Sequence, residues 1–116
     1  MARVTIDIDE DFDEWTHSAM FNTIRDRIRD KVAGVWKSTI RRSSNNHVHI
    51  KVYLNDNLSL LESLALRAFL NDDPVRIACD LDRYYRTGDL DQTGRCFDEK
   101  YSKGKLRKAG KWERFT

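Results

Sequence analysis

Two aspartates one position apart, Asp7 and Asp9 in "VTIDID", are the first residues whose types and spacing suggest chemistry. Val4, Ile6 and Ile8 alternate with Thr5, Asp7 and Asp9, the period-two signature of a strand with one apolar face. Both carboxylates therefore share the polar face. Placed this way they suit a hard divalent cation whose shell is completed by substrate phosphate oxygens. A third carboxylate would allow a two-ion arrangement, with an attacking hydroxyl activated on one side and a leaving pyrophosphate stabilised on the other. The same pattern also arises on edge strands that carry charge against aggregation. A second pair stands in "SSNNHVHIKVYL", where His47 and His49 open another alternating run. Val48, Ile50, Val52 and Leu54 point one way, and His47, His49, Lys51 and Tyr53 the other. The imidazoles thus lie on a polar face, where two together can ligate one metal ion.

The elements that must carry these residues follow from hydrophobic periodicity. From about Phe12 to Lys37 the residues Trp15, Met20, Ile24, Ile28, Val32 and Val35 recur at helical steps, so one long helix is expected, with Trp15 and Trp36 at its two ends. "STIRRSSNNHVHIKVYL" reads as two strands joined by a polar turn, since Ser and Asn satisfy backbone groups locally and Asn tolerates left-handed geometry. Ser59 and Glu62 have capping-box spacing ahead of a helix with a Leu61, Leu64, Ala65 and Phe69 stripe. Asp73-Pro74 begins a further helix, with Asp as cap and Pro at the first helical position. Its expected core stripe is Ile77, Leu81 and Tyr84, and its charged ridge Arg76, Asp80 and Arg83. "GRCFDEKY", residues 94–101, is a candidate final strand. The expected fold class is α+β: a small, mainly antiparallel sheet in RRM-like β-α-β-β-α-α-β order, covered by helices on one face.

A chain of 116 residues, 40% of them hydrophobic, is expected to hold one core. Seven of the 21 basic residues and two of the 19 acidic ones fall from Glu99 onward, which leaves 14 basic against 17 acidic before it. Residues 1–98 are therefore read as a single mildly acidic domain and 99–116 as a basic C-terminal tail, suited to a polyanion. Trp112, inside that tail, is a candidate for base stacking. No membrane span or signal-peptide layout is apparent, so a cytoplasmic location is expected. Cys79 and Cys96 lack metal or disulfide spacing and read as reduced thiols.

Taken together, "VTIDID", "RRSSNNHVHIKVYL" and "GRCFDEKY" resemble the three motifs of the archaeo-eukaryotic primase superfamily, which includes the polymerase domain of bacterial end-joining ligases. Those motifs are a strand ending in Asp-hydrophobic-Asp, a Ser-rich turn leading to a strand-borne His, and a later hydrophobic-Asp. The resemblance implies that Asp7, Asp9 and Asp98 are the catalytic carboxylates and hold Mg²⁺ or Mn²⁺. It implies that His49 binds a nucleoside triphosphate, with Ser43 and Ser44 in the phosphate-facing turn and Arg41 and Arg42 on its basic approach, Arg42 counted with the nucleotide-binding residues. The activity implied is metal-dependent nucleotidyl transfer on DNA or RNA in replication or repair. Where family members usually carry glycines and a small residue, this chain has Asn45, Asn46 and His47. Two other readings stay open. His47 and His49 also fit the His-hydrophobic-His pattern of replication initiators and relaxases, with Tyr84 or Tyr85 as the nucleophile. The third reading is a non-catalytic nucleic-acid-binding module that uses the basic tail.

Overall fold

The computed structural model describes residues 2–87, 101–102, 105–106 and 109–116. Strand β1 (Ala2–Ile8) leads into helices α1 (Phe12–Thr16) and α2 (Ala19–Lys31). Strands β2 (Val35–Arg42) and β3 (Val48–Leu54) follow, and then helices α3 (Leu60–Phe69) and α4 (Pro74–Thr87). Short strands β4 (Tyr101–Ser102) and β5 (Lys105–Leu106) pair with each other, and β6 (Glu113–Arg114) joins the main sheet. That sheet is antiparallel in the order β1-β3-β2-β6. This is the α+β architecture expected from the sequence.

The alternating residues divide as their period requires. Val4, Ile6, Ile8, Ile40, Val48, Ile50, Val52 and Leu54 share one core with Trp15 of α1, Ile24 and Ile28 of α2, Leu70 and Phe115. Each aliphatic side chain removed from water in this way contributes about 1.5–3 kcal/mol. Among the described residues, no helix is long and apolar enough to cross a membrane.

The single helix expected over 12–37 is instead two helices and the start of a strand. The Ser18 hydroxyl donates to the Trp15 carbonyl at 2.6 Å, which closes α1 before α2 begins. Gly34 then stands at φ +80, a left-handed conformation that ends helical progression, and its carbonyl accepts the Asn55 amide at 2.9 Å. Val35 onward is β2. Between Val35 and Lys37 the pairing with β3 shifts register, so Trp36 occupies a bulge. It is half exposed on the sheet rather than packed at a helix end.

Helix α3 carries the expected capping box: the Ser59 hydroxyl accepts the Glu62 amide, and the Glu62 carboxylate accepts the Ser59 amide, both at 3.1 Å. Its buried side is not the expected stripe, however. Leu61 and Phe69 are exposed, while Leu64 and Arg67 are buried. At its end the Asn71 amide reaches the Ala68 carbonyl at 3.1 Å and the Asp72 amide the Arg67 carbonyl at 2.9 Å, the two bonds of a Schellman motif. Asn71 holds the left-handed position at φ 63. Asn71→Gly is therefore expected to leave stability unchanged or raise it, and Asn71→Ala to lower it by roughly 1 kcal/mol, as read by urea denaturation. The motif turns the chain into Asp73 and Pro74, where the Asp73 carboxylate accepts the Val75 amide at 2.9 Å and caps α4.

Candidate functional site

The face of the sheet opposite the core carries three rows of side chains set by strand register. One row is Arg3, Tyr53 and Lys37; the next is Thr5, Lys51, Thr39 and Arg114; the last is Asp7, His49 and Arg41. Asp7 and His49 are direct partners in the β1–β3 ladder, with Asp7 Oδ1 3.8 Å from His49 Nε2. On the other side of the ring, Arg41 Nε donates to His49 Nδ1 at 3.3 Å. That nitrogen is therefore the acceptor, and a neutral ring carries its proton on Nε2, toward Asp7. His49 is buried, the Asp7 side chain is one-fifth exposed, and the neighbouring Asp9 is open to solvent. His47 Nδ1 lies 3.1 Å from Asp9 Oδ1. The two aspartates and two histidines singled out in the sequence thus meet as two His–Asp pairs at one end of the sheet.

The backbone of Asp7 is held from outside the sheet. Its amide donates to Asp72 Oδ1 at 2.7 Å, and its carbonyl accepts the Asp73 amide at 2.9 Å. Both groups point away from β3, so Asp7 and His49 form a non-hydrogen-bonded pair, the kind in which facing side chains come closest. One step along β1, Arg76 Nη1 donates to the Thr5 carbonyl at 2.9 Å. The corner between α3 and α4 therefore closes the free edge of β1. Behind it stands a buried ionic network. Arg67 Nε donates to Asp72 at 2.6 Å and its Nη1 to Asp80 at 2.7 Å, while Arg76 Nη1 reaches both Asp72 oxygens at 2.8 and 2.9 Å. Arg76 and Asp80, expected on a charged ridge of α4, belong to this network.

The turn residues act differently from one another. The Ser43 hydroxyl accepts the Asn45 amide at 3.2 Å and the His47 amide at 2.9 Å. It is committed to shaping the hairpin, with Asn46 at φ 62 in the left-handed position. Ser44 is half-buried in the same turn. Arg42 leaves the sheet on the helical side, where its guanidinium grips the Asp13 carboxylate at 2.9 and 3.0 Å, hydrogen-bonds Asn46 and covers the Phe12 ring. Arg41, and not Arg42, shares the row with His49. The hydrogen bond from Arg42 holds the Asp13 carboxyl below its ordinary value. A depressed folded-state pKa stabilises the fold above the unfolded-state value, and that contribution is lost as pH falls through the folded one. Arg42→Gln is expected to return the Asp13 titration, followed by carboxyl carbon NMR, upward to the ordinary range.

Tyr84 is half-buried and Tyr85 exposed, their rings edge to face at 5.8 Å. They lie about 15 Å along α4 from the end that docks on Asp7. Asp98 and most of the candidate strand 94–101 lie outside the described residues. Among the described residues, no group of three or more His, Cys, Asp or Glu side chains is gathered to hold a metal ion. What Asp7 and Asp9 offer is a pair of carboxylates.

The segment read as a basic tail adds a wall to this face. Strand β6 pairs with β2, placing Arg114 opposite Thr39. The Trp112 ring lies 4.4 Å from the Arg41 guanidinium and 4.5 Å from the Lys51 ammonium. The sequence flagged Trp112 but gave no sign that these two cations would meet it. Compared with known proteins, the chain matches no family model, and no curated protein or solved structure matches it.

Proposed function

We propose that this is a primase-polymerase-like domain that binds a nucleoside triphosphate at the Asp7–His49–Arg41 end of the sheet face opposite its core, and nucleic acid along that face. The observation that carries the reading is the register that sets Asp7 directly opposite His49, with Arg41 on the next strand. The Arg41 guanidinium supplies donors for phosphate oxygens, Asp7 and the neighbouring Asp9 supply acceptors for the Mg²⁺ or Mn²⁺ that accompanies a triphosphate, and the buried imidazole stands between Arg41 and Asp7. Asp9 and His47 form the open mouth of the same end. A cytoplasmic setting, where nucleotides and DNA or RNA are at hand, goes with this reading.

The test is titration of a fluorescent nucleoside triphosphate in Mn²⁺ or Mg²⁺. Asp7→Asn is expected to weaken binding by about tenfold or more, the loss of one charge-assisted contact, and His49→Gln by a similar factor because Arg41 and Asp7 then lose the ring that stands between them. If the wild-type protein binds with neither metal, or if both variants bind as it does, the reading fails. Labelled nucleotide supplied with primer and template then reports transfer, and product unaffected by Asp7→Asn would remove a polymerase activity.

The contact between His47 and Asp9 favours a second reading, in which both imidazoles serve a tyrosine-dependent nicking reaction. A covalent adduct with single-stranded DNA that is lost in Tyr84→Phe or Tyr85→Phe is its signature. Its absence across varied sequences would sink it.

A further inference from the structure

Beside the Asp7–His49 row, the bulge of β2 and the strand β6 enclose a groove of about 430 Å³ lined by Trp36, Lys37, Thr39, Trp112 and Arg114. Trp36 is half exposed and leans on Tyr53 with ring centres 5.4 Å apart, and Lys37 Nζ sits 5.4 Å from the same Tyr53 ring. Over the shared Trp36, Lys37 and Arg114 the groove runs on into a second hollow that reaches Arg29. Among the described residues lining the two hollows, every charged side chain is a cation. The register shift at Trp36 is what makes this surface. Without the extra residue, an indole between Val35 and Lys37 would fall toward the core side of the strand.

We propose that this groove is the track for single-stranded nucleic acid, with bases stacking on Trp36 and Trp112 and phosphates paired with Lys37 and Arg114. Two indoles and two cations lining one groove match a polymer that alternates flat rings with negative charges. Duplex DNA hides its ring faces within the stack and offers phosphate alone. An acidic peptide supplies charge without rings. The proposal deepens the nucleotide-binding reading by naming the polymer and its path, and it rests on that reading only for the class of ligand.

Fluorescence anisotropy of a labelled oligothymidylate, measured without nucleotide or divalent metal, tests it independently of the triphosphate site. Trp36→Ala and Trp112→Ala, with folding verified by circular dichroism, are each expected to weaken binding by about tenfold. Arg114→Gln is expected to reduce the slope of log affinity against log salt by about 0.7, the share of one phosphate on a single strand. Duplex of the same length should bind more weakly, and polyglutamate should compete poorly. Equal affinity for duplex, equal competition by polyglutamate, or no effect of the half-exposed Trp36 would each overturn the proposal.

Discussion

Asp72→Ala is expected to lower the unfolding free energy by about 3–5 kcal/mol, a large part of the ~5–15 kcal/mol typical of a small domain. The Asp72 carboxylate is buried and accepts from the Asp7 amide, the Asp73 amide, Arg67 and Arg76. Removing it leaves a buried guanidinium on Arg67 with Asp80 as its remaining ion-pair partner, and strips the Asp7 amide of its acceptor. An uncompensated buried charge dominates that loss, while an apolar exchange of the whole network would cost much less. Asp72→Asn keeps an oxygen for the amides but not the charge, so its effect should be intermediate. Guanidinium denaturation of the three proteins measures the series. A loss below about 1 kcal/mol for Asp72→Ala would show that the network contributes only as an exposed pair does.

The same network explains why stability and the proposed site are linked. Asp7 is not positioned by its own strand alone: the α3–α4 corner holds its amide and carbonyl, and the Schellman turn at Asn71 delivers Asp72 to that place. Asp72→Asn should therefore weaken nucleotide binding without touching ligand, by loosening the strand that presents Asp7. A parallel loss in Asp72→Asn and Asn71→Ala would separate positioning from direct contact, since neither side chain belongs to the sheet face that carries Asp7 and His49.

Period-two alternation made the sheet legible, because a strand with one buried face must alternate. It identified the core residues of β1 and β3 and placed both histidines on the polar side. Helical periodicity was a poorer guide between Phe12 and Lys37. An apolar residue every three or four positions continues the helical pattern through Val32 and Val35. Gly34 in such a pattern costs only about 1 kcal/mol, too little to mark a break by itself. The stripe on α3 misled for a different reason. Arg67 occupies the buried side because Asp72 and Asp80 meet it there, and no window of local sequence contains the pairing that makes a buried arginine tolerable.

Alternation also bears on the site. It assigns His49 and Asp7 to polar faces but says nothing of which strands are neighbours. Only the order β1-β3-β2 brings Asp7, His49 and Arg41 into one row. The choice between Arg41 and Arg42 was readable, since Ile40 belongs to the core and its neighbour Arg41 must then face the other way. The turn hydroxyl of Ser43 was harder to place. A serine before two asparagines suits phosphate contact and hairpin shaping equally well, and here the Asn45 and His47 amides take it.

Phe115→Ala is expected to release the C-terminal segment, with the loss of stability bounded by the roughly 3–5 kcal/mol of a buried Phe truncation. Phe115 is buried against Phe21 and Trp15, with ring centres 5.2 and 6.3 Å away. Its amide donates to the Ser38 carbonyl at 2.9 Å, and the Gly110 amide to Arg42 at 2.7 Å. Strand β6 is only two residues long, so its hydrogen bonds alone cannot hold it; the aromatic anchor must. In the variant, hydrogen exchange should therefore quicken first at Gly110 and at position 115, while amides of β1 and β3 keep their protection. If the whole protein instead loses protection uniformly, the segment is integral to the global transition and not a separate unit. Either result bears on the groove, because Trp112 and Arg114 reach the sheet only while Phe115 is anchored. Oligothymidylate affinity in Phe115→Ala should drop at least as far as in Trp112→Ala, since Trp112 and Arg114 are then lost from the groove together. Affinity equal to wild type in a variant whose segment exchanges freely would detach nucleic-acid binding from this face.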